Sequence, residues 1–132
     1  MILAYLKSKK EAIRLQTVID EESTRIKIIV SGGLTGEIIV TGNGAITRAH
    51  SDVAPQRLLI LELAPIIRSN LHYLVGGDHF ISIVNDDLTV WKSNPDSNEV
   101  SHRVRINLIS NNSVECDTSD DLSNLAIMIA IS

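Results

Sequence analysis

Residues 13–30 read Ile13-Arg14-Leu15-Gln16-Thr17-Val18-Ile19-Asp20-Glu21-Glu22-Ser23-Thr24-Arg25-Ile26-Lys27-Ile28-Ile29-Val30. Ile13, Leu15, Thr17 and Ile19 recur at every second position, with Arg14 and Gln16 between them. After Asp20-Glu21-Glu22-Ser23 the pattern resumes in Ile26, Ile28 and Val30. Side chains alternate between the two faces of an extended chain, so each run is a half-buried strand, and the four polar residues between them close a β-hairpin.

Outward from this hairpin the same signal recurs. Gly32-Gly33-Leu34-Thr35-Gly36 reads as a turn before a short run at 37–41, and Gly42-Asn43-Gly44 as the next turn. Further strands are expected at 71–75, 79–84, 88–91, 101–109 and 124–131, with turns at Gly76-Gly77-Asp78, Asn85-Asp86-Asp87 and residues 93–98. The segment 57–63 is ambiguous. Pro55 and Pro65 would bound a helix of about ten residues, but Leu58-Leu59-Ile60-Leu61 also suits a strand buried on both faces, and its neighbours favour strand. A short helix is expected at 2–10. About nine or ten strands with at most one or two short helices imply an all-β fold, a two-layer antiparallel β-sandwich of immunoglobulin-like or jelly-roll-like type. No linker rich in Pro, Gly or Ser divides the 132 residues, so a single domain over 1–132 is expected.

Composition limits the function. Twelve Lys and Arg against 16 Asp and Glu give a net charge of -4, a balance that argues against nucleic acid as a partner. Four aromatic residues, Tyr5, Tyr73, Phe80 and Trp91, are few for a base-stacking platform. The apolar start Met1 to Leu6 precedes Lys7, the reverse of a secretory signal, and no run is long enough to span a bilayer. Synthesis in a cytoplasm and no membrane contact are therefore expected. The single Cys116 lies between Glu115 and Asp117, which oppose thiolate formation, and permits neither a disulfide framework nor a cysteine zinc site.

Catalytic templates fail on spacing. There is no Gly-x-Ser-x-Gly elbow and no His-Glu-x-x-His stretch. Gly32 to Gly36 is followed by Glu37-Ile38-Ile39-Val40, a strand rather than the helix that a phosphate loop needs. His50 with Asp52, and Asp78 with His79, supply the pieces of an acid–base site if the fold brings them together. The acidic loops Asn85-Asp86-Asp87 and Asp117-Thr118-Ser119-Asp120-Asp121 offer oxygen ligands without the spacing of an EF-hand. Asn111-Asn112-Ser113 is a glycosylation sequon with no secretory signal to give it meaning. No cofactor, metal ligand set or catalytic residue is expected.

The C-terminal segment carries the main expectation of contact. Read as a strand, Leu125, Ile127, Ile129 and Ile131 form one apolar face and Ala126, Met128 and Ala130 the other. Either this is a central strand whose second face lies under a loop or helix, or one face meets another subunit, with Leu125, Ile127, Met128, Ile129 and Ile131 as the expected interface with other protein subunits. A second surface is expected where Trp91 adjoins the polar loop of Asn94, Asp96 and Asn98, suited to a glycan or a host surface.

Three stretches, Leu61-Glu62-Leu63-Ala64-Pro65, Leu71-His72-Tyr73-Leu74-Val75 and Phe80-Ile81-Ser82-Ile83-Val84-Asn85-Asp86, resemble immunoglobulin-like sandwich modules of tailed-bacteriophage virion proteins. The Cys…Trp…Cys hallmark is missing, because Trp91 has only Cys116 after it. The resemblance implies a non-enzymatic structural role in a decoration, collar, baseplate or fibre, assembled through sheet edges and the C-terminal segment. The alternatives are a glycan-binding module, and a small hydrolase or isomerase using His50, Asp52, Asp78 and His79.

Overall fold

The computed structural model describes residues 2–9, 12–20, 22–30, 33–51, 56–74, 78–93, 100–110, 113–117 and 120–131. In chain order these form α1 (Ile2–Lys9), β1 (Ile13–Ile19), β2 (Ser23–Val30), β3 (Gly33–Thr41), β4 (Ile46–His50), α2 (Arg57–Ser69), α3 (Leu71–Leu74), β5 (Asp78–Val84), β6 (Asp87–Ser93), β7 (Val100–Asn107), β8 (Ser113–Asp117) and α4 (Asp120–Ala130). The strands make one antiparallel sheet in the order β4-β3-β2-β1-β5-β6-β7-β8.

The hairpin at 13–30 forms with Ile13 opposite Val30 and Ile19 opposite Thr24. Its register places Ile13, Leu15, Ile26 and Ile28 inside, all fully buried. Ile38 and Val40 of β3, Ile81 of β5, Leu88 and Val90 of β6 and Val104 of β7 extend the same buried face across the sheet. The Asn85-Asp86 turn is a two-residue hairpin loop, since Val84 pairs with Asp87, and Asn85 takes the positive φ of 57° that such turns require.

The protein is β-rich, antiparallel and two-layered, as the alternation implies. The second layer differs from expectation: it is helical, not a second sheet. Segment 57–63 lies in α2, segment 71–74 is α3, and 124–130 belongs to α4. The reason is periodicity. In α2 the buried residues are Leu59, Ile60, Leu63, Ala64, Ile66 and Ile67, a helical stripe rather than an alternation. In α4 they are Leu122, Leu125, Ala126 and Ile129, spaced i, i+3, i+4 and i+7. These helices lie on the apolar face of the sheet, α2 against β3 and β4 and α4 against β6 and β7, and all the buried apolar residues form one cluster. Asn70, itself buried, ties the helices together: its side-chain nitrogen donates to the Ile66 carbonyl at 2.8 Å and contacts the Met128 sulfur at 3.3 Å.

Pro65 does not end α2 but sits inside it. It has no N–H for the Leu61 carbonyl, and both residues lie on the exposed side of the helix. Burial of six apolar side chains outweighs a penalty of about 3 kcal/mol. Pro65→Ala is accordingly expected to stabilise the fold by about 1–3 kcal/mol, read as a higher midpoint in thermal unfolding.

The element order is used twice. A helix, four meandering strands and a second helix run from α1 to α2, and the same sequence runs from α3 to α4. Strands β1 and β5 meet antiparallel at the centre, with Arg14 opposite Phe80. The two halves are therefore related by an approximate two-fold normal to the sheet. No short-period repeat is visible in the sequence, because the halves match in pattern rather than in residue identity.

Candidate contact surface

One face of the sheet is covered by helices. The residues that alternate with the core occupy the other, uncovered face. Arg14 on β1 is in register with Phe80 on β5, Phe80 with Trp91 on β6, Trp91 with Arg103 on β7, and Arg103 with Asp117 on β8. A single row thus crosses five strands and brings together residues far apart in sequence. The Phe80 and Trp91 rings lie nearly parallel, at 8°, with centroids 5.3 Å apart. The Arg14 guanidinium stands 5.9 Å from the Phe80 centroid and is ion-paired to Asp78, to which its Nε donates at 3.0 Å. Ring stacking contributes about 0.5–1.5 kcal/mol and a surface cation over a ring about 0.5–1 kcal/mol, and both favour the mutual arrangement of Arg14, Phe80 and Trp91.

Beside this row lies a depression of about 360 Å³ lined by Ser82, Asp87, Thr89, Trp91, Arg103 and Arg105, among others. Asp87 is held from two sides. Asn107 donates to its Oδ1 at 3.0 Å, and Arg105 Nε lies 4.0 Å from its Oδ2. The site therefore offers one flat apolar wall, guanidinium groups, a carboxylate and two hydroxyls, at a size typical of ligand-binding clefts. In the other half, Glu37 sits between Arg25 at 3.5 Å and Arg48 at 3.2 Å.

The pairs Arg25–Glu37 and Asp87–Arg105 occupy equivalent places. Lys27 faces Glu37 and Thr89 faces Arg105, and each ion pair reaches back two residues from those partners. The charges are reversed between the halves.

No family model, curated protein or solved structure matches this chain.

The sequence-derived candidates fall differently from expectation. His50 ends β4, while Asp78 and His79 lie on β5, four strand spacings away, about 19 Å. Asp78 and His79 are also adjacent on one strand and so point to opposite faces: Asp78 pairs with Arg14, whereas His79 is fully buried and packs edge-on against Tyr73 at 4.9 Å. Asp52 lies outside the described residues. Among the described residues, His50, Asp78 and His79 are not brought together as an acid–base site.

The C-terminal interface is also corrected. Within α4, Leu125 and Ile129 are core residues at 0% exposure, and Met128 is half-buried against Asn70. Ile127 in α4 and Ile131 just after it are exposed, at 48% and 79%. Trp91 stands on the open face of β6, but Asn94, Asp96 and Asn98 lie outside the described residues. Gly33 and Gly36 belong to β3 rather than to a turn. In the acidic loops, Asp87 is engaged by Arg105 and Asn107, and Thr118 and Ser119 lie outside the described residues. Among the described residues no helix is long and apolar enough to cross a membrane.

Sequence reasoning missed the row itself. The one available signal was the set Arg14, Phe80 and Trp91 at strand positions facing away from the core. What joins them is the pairing of β1 with β5.

Proposed function

We propose that the protein is a non-enzymatic module that binds other protein subunits through the uncovered face of its sheet. The observation that carries this reading is the row Arg14–Phe80–Trp91–Arg103 on a face that no helix among the described residues covers. Trp and Arg are the residue types that most often dominate protein interfaces, and here they surround a preformed hollow. A virion, as the sequence resemblance implies, is one kind of assembly in which such a module serves.

The test uses the whole chain as bait in extract from its source, followed by binding of each captured protein in purified form. Trp91→Ala is expected to weaken binding of the true partner about 30-fold, the loss typical of a central anchor. A purified partner that binds the variant as tightly as the native chain would place the interface elsewhere.

A second reading, a glycan site, is favoured by one feature. Trp91 gives a flat apolar wall beside the hydroxyl groups of Ser82 and Thr89 and the Asp87 carboxylate. A glycan array decides it: signal from the native chain that Trp91→Ala abolishes supports the glycan, and silence dismisses it.

A further inference from the structure

We infer that copies of this chain join head to tail, the β4 edge of one pairing with the β8 edge of the next, so that the sheet runs on from copy to copy. Among the described residues β4 and β8 each pair with one strand only, and they form the two ends of the sheet. All the strand pairings are antiparallel, so β4 and β8 run in opposite directions. A second copy set beside the first, with its helices on the same side, therefore meets it with an antiparallel edge.

Charge selects this pairing over the two like-with-like pairings. At the β4 end, Arg25 and Arg48 share the single carboxylate of Glu37. At the β8 end, Glu115 and Asp117 stand in register with Arg105 and Arg103, and Asp87 already engages Arg105. With Lys27 also in register with Glu37, one end has cations in excess and the other an anion. The flanking chain reinforces the difference: residues 1–66 hold eight Lys and Arg against seven Asp and Glu, while residues 67–132 hold four against nine. Pairing β4 with β4 joins two edges that each carry Arg48, and pairing β8 with β8 joins two strands that each carry Glu115 and Asp117 in their sequence. Only the unlike edges attract.

The helix layer also carries exposed apolar residues on the two helices that pack on opposite halves of the sheet. Leu58 and Leu61 on α2, the helix above β3 and β4, are each 56% exposed. Ile127 and Ile131 stand out at the α4 end, over β6 and β7. Each edge strand has five residues, and each adjoins an irregularity in its ladder, at Ile39/Val40 and Arg105/Ile106. Such short edges give a reversible, salt-sensitive contact. A head-to-tail contact closes into a ring or continues as a filament according to its rotation per copy.

Sedimentation velocity of the full chain, over a wide concentration range and at low and high salt, tests this. Larger species are expected to grow with concentration and shrink with salt. A native chain that stays monomeric throughout overturns the inference, whatever the variants do. The double variant Arg25→Glu with Arg48→Glu makes both edges acidic, and the double variant Glu115→Lys with Asp117→Lys makes both basic. Each alone is expected to associate about tenfold more weakly or worse. An equal mixture restores assembly, because each edge then meets its opposite in the other variant. Circular dichroism confirms that each variant is folded. Variants that assemble as the native chain does, or a mixture no better than its parts, overturn the inference. Trp91→Ala separates this contact from the proposed partner surface: if it dissolves the assembly, the open face rather than the edges joins the copies, and the inference fails.

Discussion

Replacing Gly36 with alanine is expected to lower the thermal midpoint by about 10 °C, a loss of about 3 kcal/mol in a chain of this size. A Cβ built on Gly36 falls 2.5 Å from the His50 carbonyl oxygen and 3.0 Å from both Cγ1 and Cδ1 of Ile60. The first of these contacts is with backbone, which no side-chain rotation relieves. The second is with a fully buried side chain of α2 that is itself packed in the core. Gly36 thus sits where β3, β4 and α2 approach most closely, and an added methyl forces β4 or α2 outward. Gly33→Ala on the same strand is the control, because its Cβ meets nothing closer than the Val30 carbonyl at 3.7 Å. Amide exchange in β4 should quicken in the Gly36 variant and stay native in the control. Equal melting of the two variants would show that the close approach is not what requires glycine.

The history of these residues in the sequence explains what could be read and what could not. The strands β1, β2, β6 and β7 have alternation strong enough to show without structure, because mostly polar residues mark the outward positions, whereas β5 shows by its Phe80-Ile81-Ser82-Ile83-Val84 run between turn residues. In α2 and α4 that marking is missing. Leu58-Leu59-Ile60-Leu61 and Leu125-Ala126-Ile127-Met128-Ile129 are apolar on every side, so a period of two and a period of 3.6 fit the same short run. The deciding residues lie further out, at Ile66 and Ile67 in α2 and at Leu122 in α4, where the helical spacing of the buried residues continues. Pro65 pointed the wrong way, since burial of the opposite face of α2 outweighs its penalty. The contact row was illegible for another reason. Arg14 and Phe80 are neighbours only because β1 and β5 pair across the two halves, and local pattern carries no record of that long-range register. The same holds for His50 and His79: sequence offers both as candidates, and strand order sets them far apart.

The C-terminal segment provides the sharpest test of helix against strand. Ile129→Lys is expected to unfold the chain or to cost at least about 4 kcal/mol, a large part of the 5–15 kcal/mol that holds a domain of this kind together. Ile129 is fully buried beside Leu122, Leu125 and Ala126, and a lysine there either carries its charge into an apolar core or pulls α4 off the sheet. Ile127→Lys, two residues away, should change stability by no more than about 0.5 kcal/mol, because Ile127 is 48% exposed on the opposite side of the helix. On a strand the two positions share one face, and the two lysines would act alike. Thermal melts of the pair followed by circular dichroism therefore separate the structures directly. A large gap between the variants establishes the helical face, and matching losses would return the segment to the sheet and leave the core over β6 and β7 without its cover.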